Sequence, residues 1–193
     1  MIDYKNKIGK CFLCGWDKNP LILQLHHKNK SKKSFKLMSG TKFYGKPWKI
    51  ILREIKKCNL LCPNCHAIYH YLEKDWFKKN AILKNGVSIT KHGIWQRKTI
   101  IKKRQKLIDL KKTQRNCEIC GWNKMPEIFV FHHKDESNKR FSIGRSNIAN
   151  YSDKTIDAEL KKCIMVCPTC HFIIHINDNK RKHQIIDSFK KTS

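Results

Sequence analysis

The chain has 193 residues, with 42 Lys and Arg against 15 Asp and Glu, for a net charge of +27. No apolar run approaches the length of a membrane span, and with no persuasive anchor or lipid motif an acidic membrane surface is excluded as the partner. A balance this basic costs self-repulsion unless a polyanion is bound, which makes nucleic acid the expected partner.

The amino terminus, Met1-Ile-Asp-Tyr-Lys-Asn-Lys, is polar where a secretory signal is apolar. The expected location is therefore cytoplasmic, or intracellular in a phage- or virus-infected host, and not secreted. Abundant Lys, Asn and Ile fit an AT-rich coding genome of that kind. In chain order, Cys11-x2-Cys14-Gly15-Trp16 reads as a tight metal-binding turn, with Gly15 suited to positive φ. Leu21 to His27 is a short apolar run after Pro20 and predicts a strand ending in His26-His27. Phe35 and Leu37 alternate with polar residues and predict a second strand around Ser34 to Met38. Trp48, Ile51, Leu52 and Ile55 recur at helical spacing over Trp48 to Lys57. Pro63 suits the first turn of another helix, running through His66, His70 and Phe77 toward Lys84. Gly86 to Gly93 reads as a loop. After it, Ile94, Ile100, Ile101, Leu107 and Ile108 form an apolar stripe flanked by basic residues, expected to pack on the segment C-terminal to it.

From Cys117 the order repeats: a turn, strands at Glu127 to His133 and Arg140 to Ile143, a helix through Glu159 and a helix from Pro168 onward. Cys11 and Cys117 are 106 residues apart, as are His26 and His132; His66 and His171, like His70 and His175, are 105 apart. A period this long, with every potential ligand kept, implies two copies of one small metal-bearing module. The expected organisation is residues 1–85, a linker and basic amphipathic helix over 86–116, and residues 117–193. The expected fold class is α+β. Each copy is small enough for a metal staple to matter.

Each copy carries two ligand sets. Cys11, Cys14, Cys62 and Cys65 form two Cys-x2-Cys knuckles, and Cys117, Cys120, Cys167 and Cys170 match them. That is structural zinc spacing in a reducing compartment rather than a disulfide framework. Two such Zn2+ sites, each with four thiolates and one dication, leave the protein at about +23. A closed four-cysteine site has no position for substrate, so its role is folding. The fifth cysteine of each copy, Cys58 or Cys163, reads as a small buried hydrophobe.

The histidines form the second set. His66 and His70 lie four apart on one helix face, as do His171 and His175. His26 and His27 are neighbours on a strand and point to opposite sides, so one can join the helical pair at a metal while the other faces a substrate. A lone histidine would read as an ordinary core residue; four at matching places in both copies read as a site. Three imidazoles around a metal with open positions can polarise a phosphodiester, while a free imidazole takes a proton from water.

At these residues the chain resembles the HNH endonuclease family. The resemblance rests on Cys-x2-Cys-Gly-Trp, on Leu25-His26-His27-Lys28 and Phe131-His132-His133-Lys134, and on Cys-Pro-x-Cys-His-x3-His. It is closest to the zinc-knuckled members of phages and mobile elements, and the histidine pattern is similar to that of the colicin nucleases. The resemblance implies two tandem ββα-metal modules, each a hairpin and helix with a metal ion between them. By position it makes His26, His66 and His70, and His132, His171 and His175, ligands of a catalytic divalent metal (Mg2+ or Mn2+, or Ni2+ or Zn2+). It makes His27 and His133 the general bases. The Asn that names the family stands nine residues before the helix histidine in many members and commonly braces the loop carrying the base. Here Lys57 and Lys162 stand in its place, and neither nearby Asn59 nor its counterpart Ile164 is assigned a role. After the double histidine the copies differ, with Lys28-Asn29-Lys30 in one and Lys134-Asp135-Glu136 in the other.

The expected function is that of a metal-dependent endonuclease of double-stranded DNA, a monomer whose two HNH sites act as an internal pseudo-dimer or as nicking sites. The alternative is a zinc-stapled DNA-binding protein with inactive HNH sites. RNA ranks below DNA, because no stacking-aromatic motif of an RNA-binding module is present.

Overall fold

The computed structural model describes residues 2–37, 45–73, 91–143, 148 and 150–178. The chain is α+β and divides into two compact units, Met1–Tyr69 and His70–Ser193. Its elements are α1 (Ile2–Ile8), β1 (Gln24–His27), α2 (Trp48–Lys56), β2 (Cys58–Leu61), α3 (Pro63–Glu73), α4 (Lys91–Gln114), β3 (Val130–His133), α5 (Asp153–Leu160), β4 (Cys163–Val166) and α6 (168–178). Among the described residues no helix is long and apolar enough to cross a membrane.

Among the described residues there are two sheets, each of two antiparallel strands. β1 pairs with β2, setting His26 opposite Asn59 and His27 opposite Cys58. β3 pairs with β4, setting His132 opposite Ile164 and His133 opposite Cys163. Both entry strands are shorter than the sequence predicts, because Pro20–Ile22 and Pro126–Ile128 wind into single 3-10 turns first. Proline fixes φ near the helical value and suits the first position of such a turn.

The larger correction concerns the second strand. Ser34 to Leu37 and Arg140 to Ile143 are irregular, and Met38 lies outside the described residues. The pairing strand is instead the segment between two helices, Cys58–Leu61 or Cys163–Val166. The physical reason is a competing acceptor. The Ser34 amide donates to the Glu54 carboxylate at 2.8 Å and the Arg140 amide to Glu159 at 2.7 Å, so these donors are taken before a neighbouring strand can use them.

α2 matches its predicted span closely, and Ile51 and Ile55 face the core as its periodicity requires. Trp48 is exposed. The core of the first unit gathers Leu23, Leu25, Ile51, Ile55, Leu60 and Leu61 around Cys11, Cys58 and Cys62. In the second unit Phe129, Met165 and Val166 pack around Cys117, Cys167 and Cys170. A further cluster joins Leu107 of α4 to Phe141, Ile148 and Ile156. Of the predicted stripe, Leu107 is therefore in the core, Ile100 and Ile108 are half-buried, Ile101 is exposed, and the side chain of Ile94 lies outside the described residues.

α4 starts at Lys91, so Gly93 is helical rather than in a loop. One glycine costs about 1 kcal/mol in a helix, which the remaining turns and their contacts outweigh. Those contacts are mostly lysine donors. Lys103 Nζ donates to the carbonyl of Tyr151, Lys106 pairs with Asp157 at 2.9 Å, and Lys111 Nζ lies 3.4 Å from the Glu127 carbonyl. Residues 74–90, which hold the rest of the predicted α3 and most of the predicted loop, lie outside the described residues.

Leu23 and Phe129 occupy corresponding places after the 3-10 turns and are fully buried. Leu23→Ala should destabilise the first unit by about 2–5 kcal/mol and Phe129→Ala the second by about 3–5 kcal/mol. Denaturant unfolding of the zinc-loaded protein measures both.

Candidate metal centres

The first knuckle is a turn closed by Cys11 N–H to the Trp16 carbonyl and Gly15 N–H to the Cys11 carbonyl. Gly15 has φ +71° and Gly121 in the second knuckle +70°. This left-handed conformation is what glycine accepts without strain. Each knuckle is docked onto the sheet by an amide, Phe12 to the Leu60 carbonyl and Glu118 to the Met165 carbonyl, and in the second the Met165 amide donates back to Glu118 Oε1 at 2.6 Å. The other two cysteines of each set straddle the first turn of α3 or α6. Amide donors aim at the sulfurs there: Cys65 N–H at Cys62 Sγ, 3.4 Å, and Cys170 N–H at Cys167 Sγ, 3.5 Å.

Within each set the four sulfurs lie within 4.8 Å of one another. Cys14 Sγ is 3.7 Å from Cys62 Sγ, and Cys120 Sγ is 3.8 Å from Cys167 Sγ. Four sulfurs at about 2.3 Å from one zinc ion stand about 3.8 Å apart along each tetrahedral edge. A disulfide needs about 2.05 Å, and all ten cysteines are free thiols. The proton affinities point the same way. Hydrogen bonding from Cys65 brings the Cys62 thiol down to about 5, while the resulting thiolate and burial push Cys65 far up. Four thiols this close do not all ionise without a cation among them, so the donor set fits zinc.

Cys58 and Cys163 stand apart from these sets. Burial first, then the nearby Glu54 or Glu159 charge, raises each thiol to about 11. Such a thiol is inert at neutral pH; Cys58 is buried, as a small core hydrophobe should be, whereas Cys163 is half-buried.

The histidine sets converge as well. One ring nitrogen each from His26, His66 and His70 lie within 4.8 Å of one another, and the same holds for His132, His171 and His175. His171 Nε2 and His175 Nε2 are 3.2 Å apart. Two nitrogens at about 2.1 Å from one ion stand about 3.0–3.4 Å apart, between octahedral and tetrahedral geometry. Burial, and then the neighbouring His175 and His132, lower the His171 imidazole to about 4, and burial lowers His132 as well. These rings are neutral near pH 7, the form that binds a metal.

In the second unit the set opens into a cleft of about 510 Å³, lined by His132, His133, His171 and His175 with Lys134, Lys139, Asp135, Glu136, Asp178 and Phe131. His26 in the first unit additionally packs against Tyr69, ring centroids 4.1 Å apart.

Comparisons with family models, curated proteins and solved structures find no match to this chain.

Strand alternation sends the second member of each histidine pair the other way. His27 Nε2 is 2.8 Å from Glu54 Oε1, and His133 Nε2 is 2.8 Å from Glu159 Oε1. Both histidines are buried, at 8% and 7% exposure, more deeply than a residue expected to face substrate. His133 nonetheless lines the cleft. Sequence reasoning passed over Glu54 and Glu159. Their signal was available: each is an acid in phase with the apolar stripe of its helix, four residues before Cys58 or Cys163 in both copies.

Burial works to raise the Glu54 carboxyl, but donors from Lys57, the Ser34 amide and His27 outweigh it and hold it at about 2. For Glu159 burial is likewise outweighed, by Lys162, the Arg140 amide and His133, and the result is again about 2. Lys57 Nζ bonds to Glu54 Oε2, to Ser34 Oγ and to the Lys32 carbonyl at 2.7, 2.9 and 3.0 Å. Lys162 Nζ bonds to Glu159 Oε2 and the Asn138 carbonyl at 2.9 and 3.0 Å.

The protein purified from a reducing host should carry two zinc ions per chain by elemental analysis. Cys62→Ala or Cys167→Ala should leave one and unfold the affected unit, seen as lost helical circular dichroism. A metal-free chain with unchanged dichroism would remove the structural role given to these clusters.

Proposed function

We propose that the chain is a metal-dependent DNA endonuclease of the HNH type, with one hydrolytic site in each of two tandem ββα-metal modules. The observation that carries this reading is the convergence of three imidazole nitrogens within 4.8 Å, twice, beside a second buried histidine on the same strand. A net charge of +27 supports a polyanionic substrate.

His26, His66 and His70, and their counterparts His132, His171 and His175, would hold the divalent ion. When bound, that ion supplies Lewis-acid stabilisation of the phosphate and of the leaving oxygen. The protein's own groups do the remainder. Lys134 and Lys139, at the cleft, offset phosphate charge as the strand is drawn in. His27 or His133 takes a proton as water oxygen bonds to phosphorus and the phosphorus–ester oxygen bond breaks. Three neutral imidazoles add no charge to the cation, so the full dication is available to the anionic substrate.

With two sites in one chain, a single protein molecule can cut both strands without dimerising. Incubated with supercoiled plasmid and Mg2+ or Mn2+, the protein should produce nicked and then linear DNA, and EDTA should stop it. His27→Ala with His133→Ala should lower the rate by at least about 100-fold, the scale of a lost general base, while DNA binding by gel shift persists. Binding without cleavage by the unaltered protein would turn the reading to a zinc-stapled DNA-binding protein.

A further inference from the structure

The two buried carboxylates are the feature that composition explains least. Glu54 and Glu159 are 1% and 2% exposed, and each sits where an apolar side chain would extend the helix stripe. A buried ion pair is weak evidence of stabilisation, since a well-packed apolar pair does as well or better. Their partners therefore matter more than their burial.

We infer that Glu54 and Glu159 are positioning residues, each tied by Lys57 or Lys162, that fix the adjacent histidine as its Nε2–H tautomer and leave Nδ1 as the proton acceptor. The inference rests on reading His27 and His133 as bases. Oε1 of each glutamate receives a backbone amide, from Ser34 or Arg140, and a ring nitrogen at 2.8 Å. An ionised carboxylate oxygen only accepts, so the ring nitrogen facing it carries the hydrogen. The lone pair then falls on Nδ1, which fixes both which nitrogen receives a proton and how the ring is turned.

The other oxygen is held by the lysine. Lys57 Nζ reaches past Glu54 to the Lys32 carbonyl and Ser34 Oγ, and Lys162 reaches past Glu159 to the Asn138 carbonyl. One ammonium thus joins the carboxylate to the loop after the double histidine. These lysines stand in the place where the resemblance puts a loop-bracing Asn. An ammonium has three donors, enough to hold the loop and saturate the glutamate together. The same Lys–Glu–His arrangement in both copies, at 2.7–2.9 Å throughout, marks one device used twice.

The test uses the full zinc-loaded chain. Nitrogen-15 chemical shifts of the His27 and His133 rings, in protein labelled at histidine, should show Nε2 protonated and Nδ1 bare. In Glu54→Gln with Glu159→Gln, an amide can donate as well as accept, and the signature should change to a mixture or to the other tautomer. The same variant should lose about 100-fold in kcat on plasmid with KM held within about threefold, whereas Glu→Asp at both positions should recover part of the rate. Two zinc ions per chain and unchanged dichroism confirm that each variant is folded. A bare Nε2 in the unaltered protein overturns the inference, as does a folded Gln variant with full kcat. Should the unaltered protein not cleave DNA, the nuclease reading fails by itself, and the ring shifts alone still decide whether the glutamates set the tautomer.

Discussion

The four-cysteine clamp is the constraint on which everything else in each unit depends. It joins a Cys-x2-Cys knuckle to the first turn of a helix some fifty residues later, and the helical histidines of each set begin at the very next residue, His66 after Cys65 and His171 after Cys170. A zinc ion bound to four thiolates contributes apparent free energies of about 10–16 kcal/mol in small metal-dependent folds. A hydrophobic core in a chain below about 70–80 residues rarely supplies more than about 3–5 kcal/mol. With zinc bound, such a clamp would set where that helix lies, and the histidines it carries would be placed with it.

The strand supplies the second constraint. Successive side chains of an extended chain point to opposite faces, and a double histidine converts that rule into a division of labour. His26 and His132 turn toward the helix that carries the other histidines of each set, while His27 and His133 turn toward α2 or α5 and meet a carboxylate. Moving the register by one residue would exchange the two roles. The register is held by the main-chain ladder and continues one step beyond it, through Lys28 N–H to the Lys57 carbonyl and Lys134 N–H to the Lys162 carbonyl.

Much of this was legible in the sequence because it rests on spacing. Both cysteine sets, both histidine sets, the opposite facing of the paired histidines and helix α2 follow from ligand intervals and from periods of two and 3.6 residues. What escaped was non-local. Phe35 and Leu37 alternate as a strand should, yet their segment is claimed by Glu54, which lies nineteen residues further on. Cys58 to Leu61 has four residues between two helices, too few for periodicity to separate from a connection. Its role as a strand is fixed only by β1 lying beside it. Glu54 was hidden for a related reason: a charged residue on an apolar stripe looks like an interruption until its partners, His27 and Lys57, are known to surround it.

The distribution of acids gives that interruption its weight. The chain has only 15 Asp and Glu, and among the described ones two, Glu54 and Glu159, are almost fully buried in matching places, where each forgoes any part in offsetting surface charge. Their partner lysines are about one-third exposed, so each pair is closed at the carboxylate end and open at the ammonium end. Held near a pKa of about 2, each glutamate keeps its charge well below the usual carboxylate range. The stabilisation from its hydrogen bonds is accordingly present above about pH 4.3 and lost only as pH falls through the folded value. Above that range the carboxylates stay ionised beside the histidines, and their charge is spent on those partners and not on the basic surface.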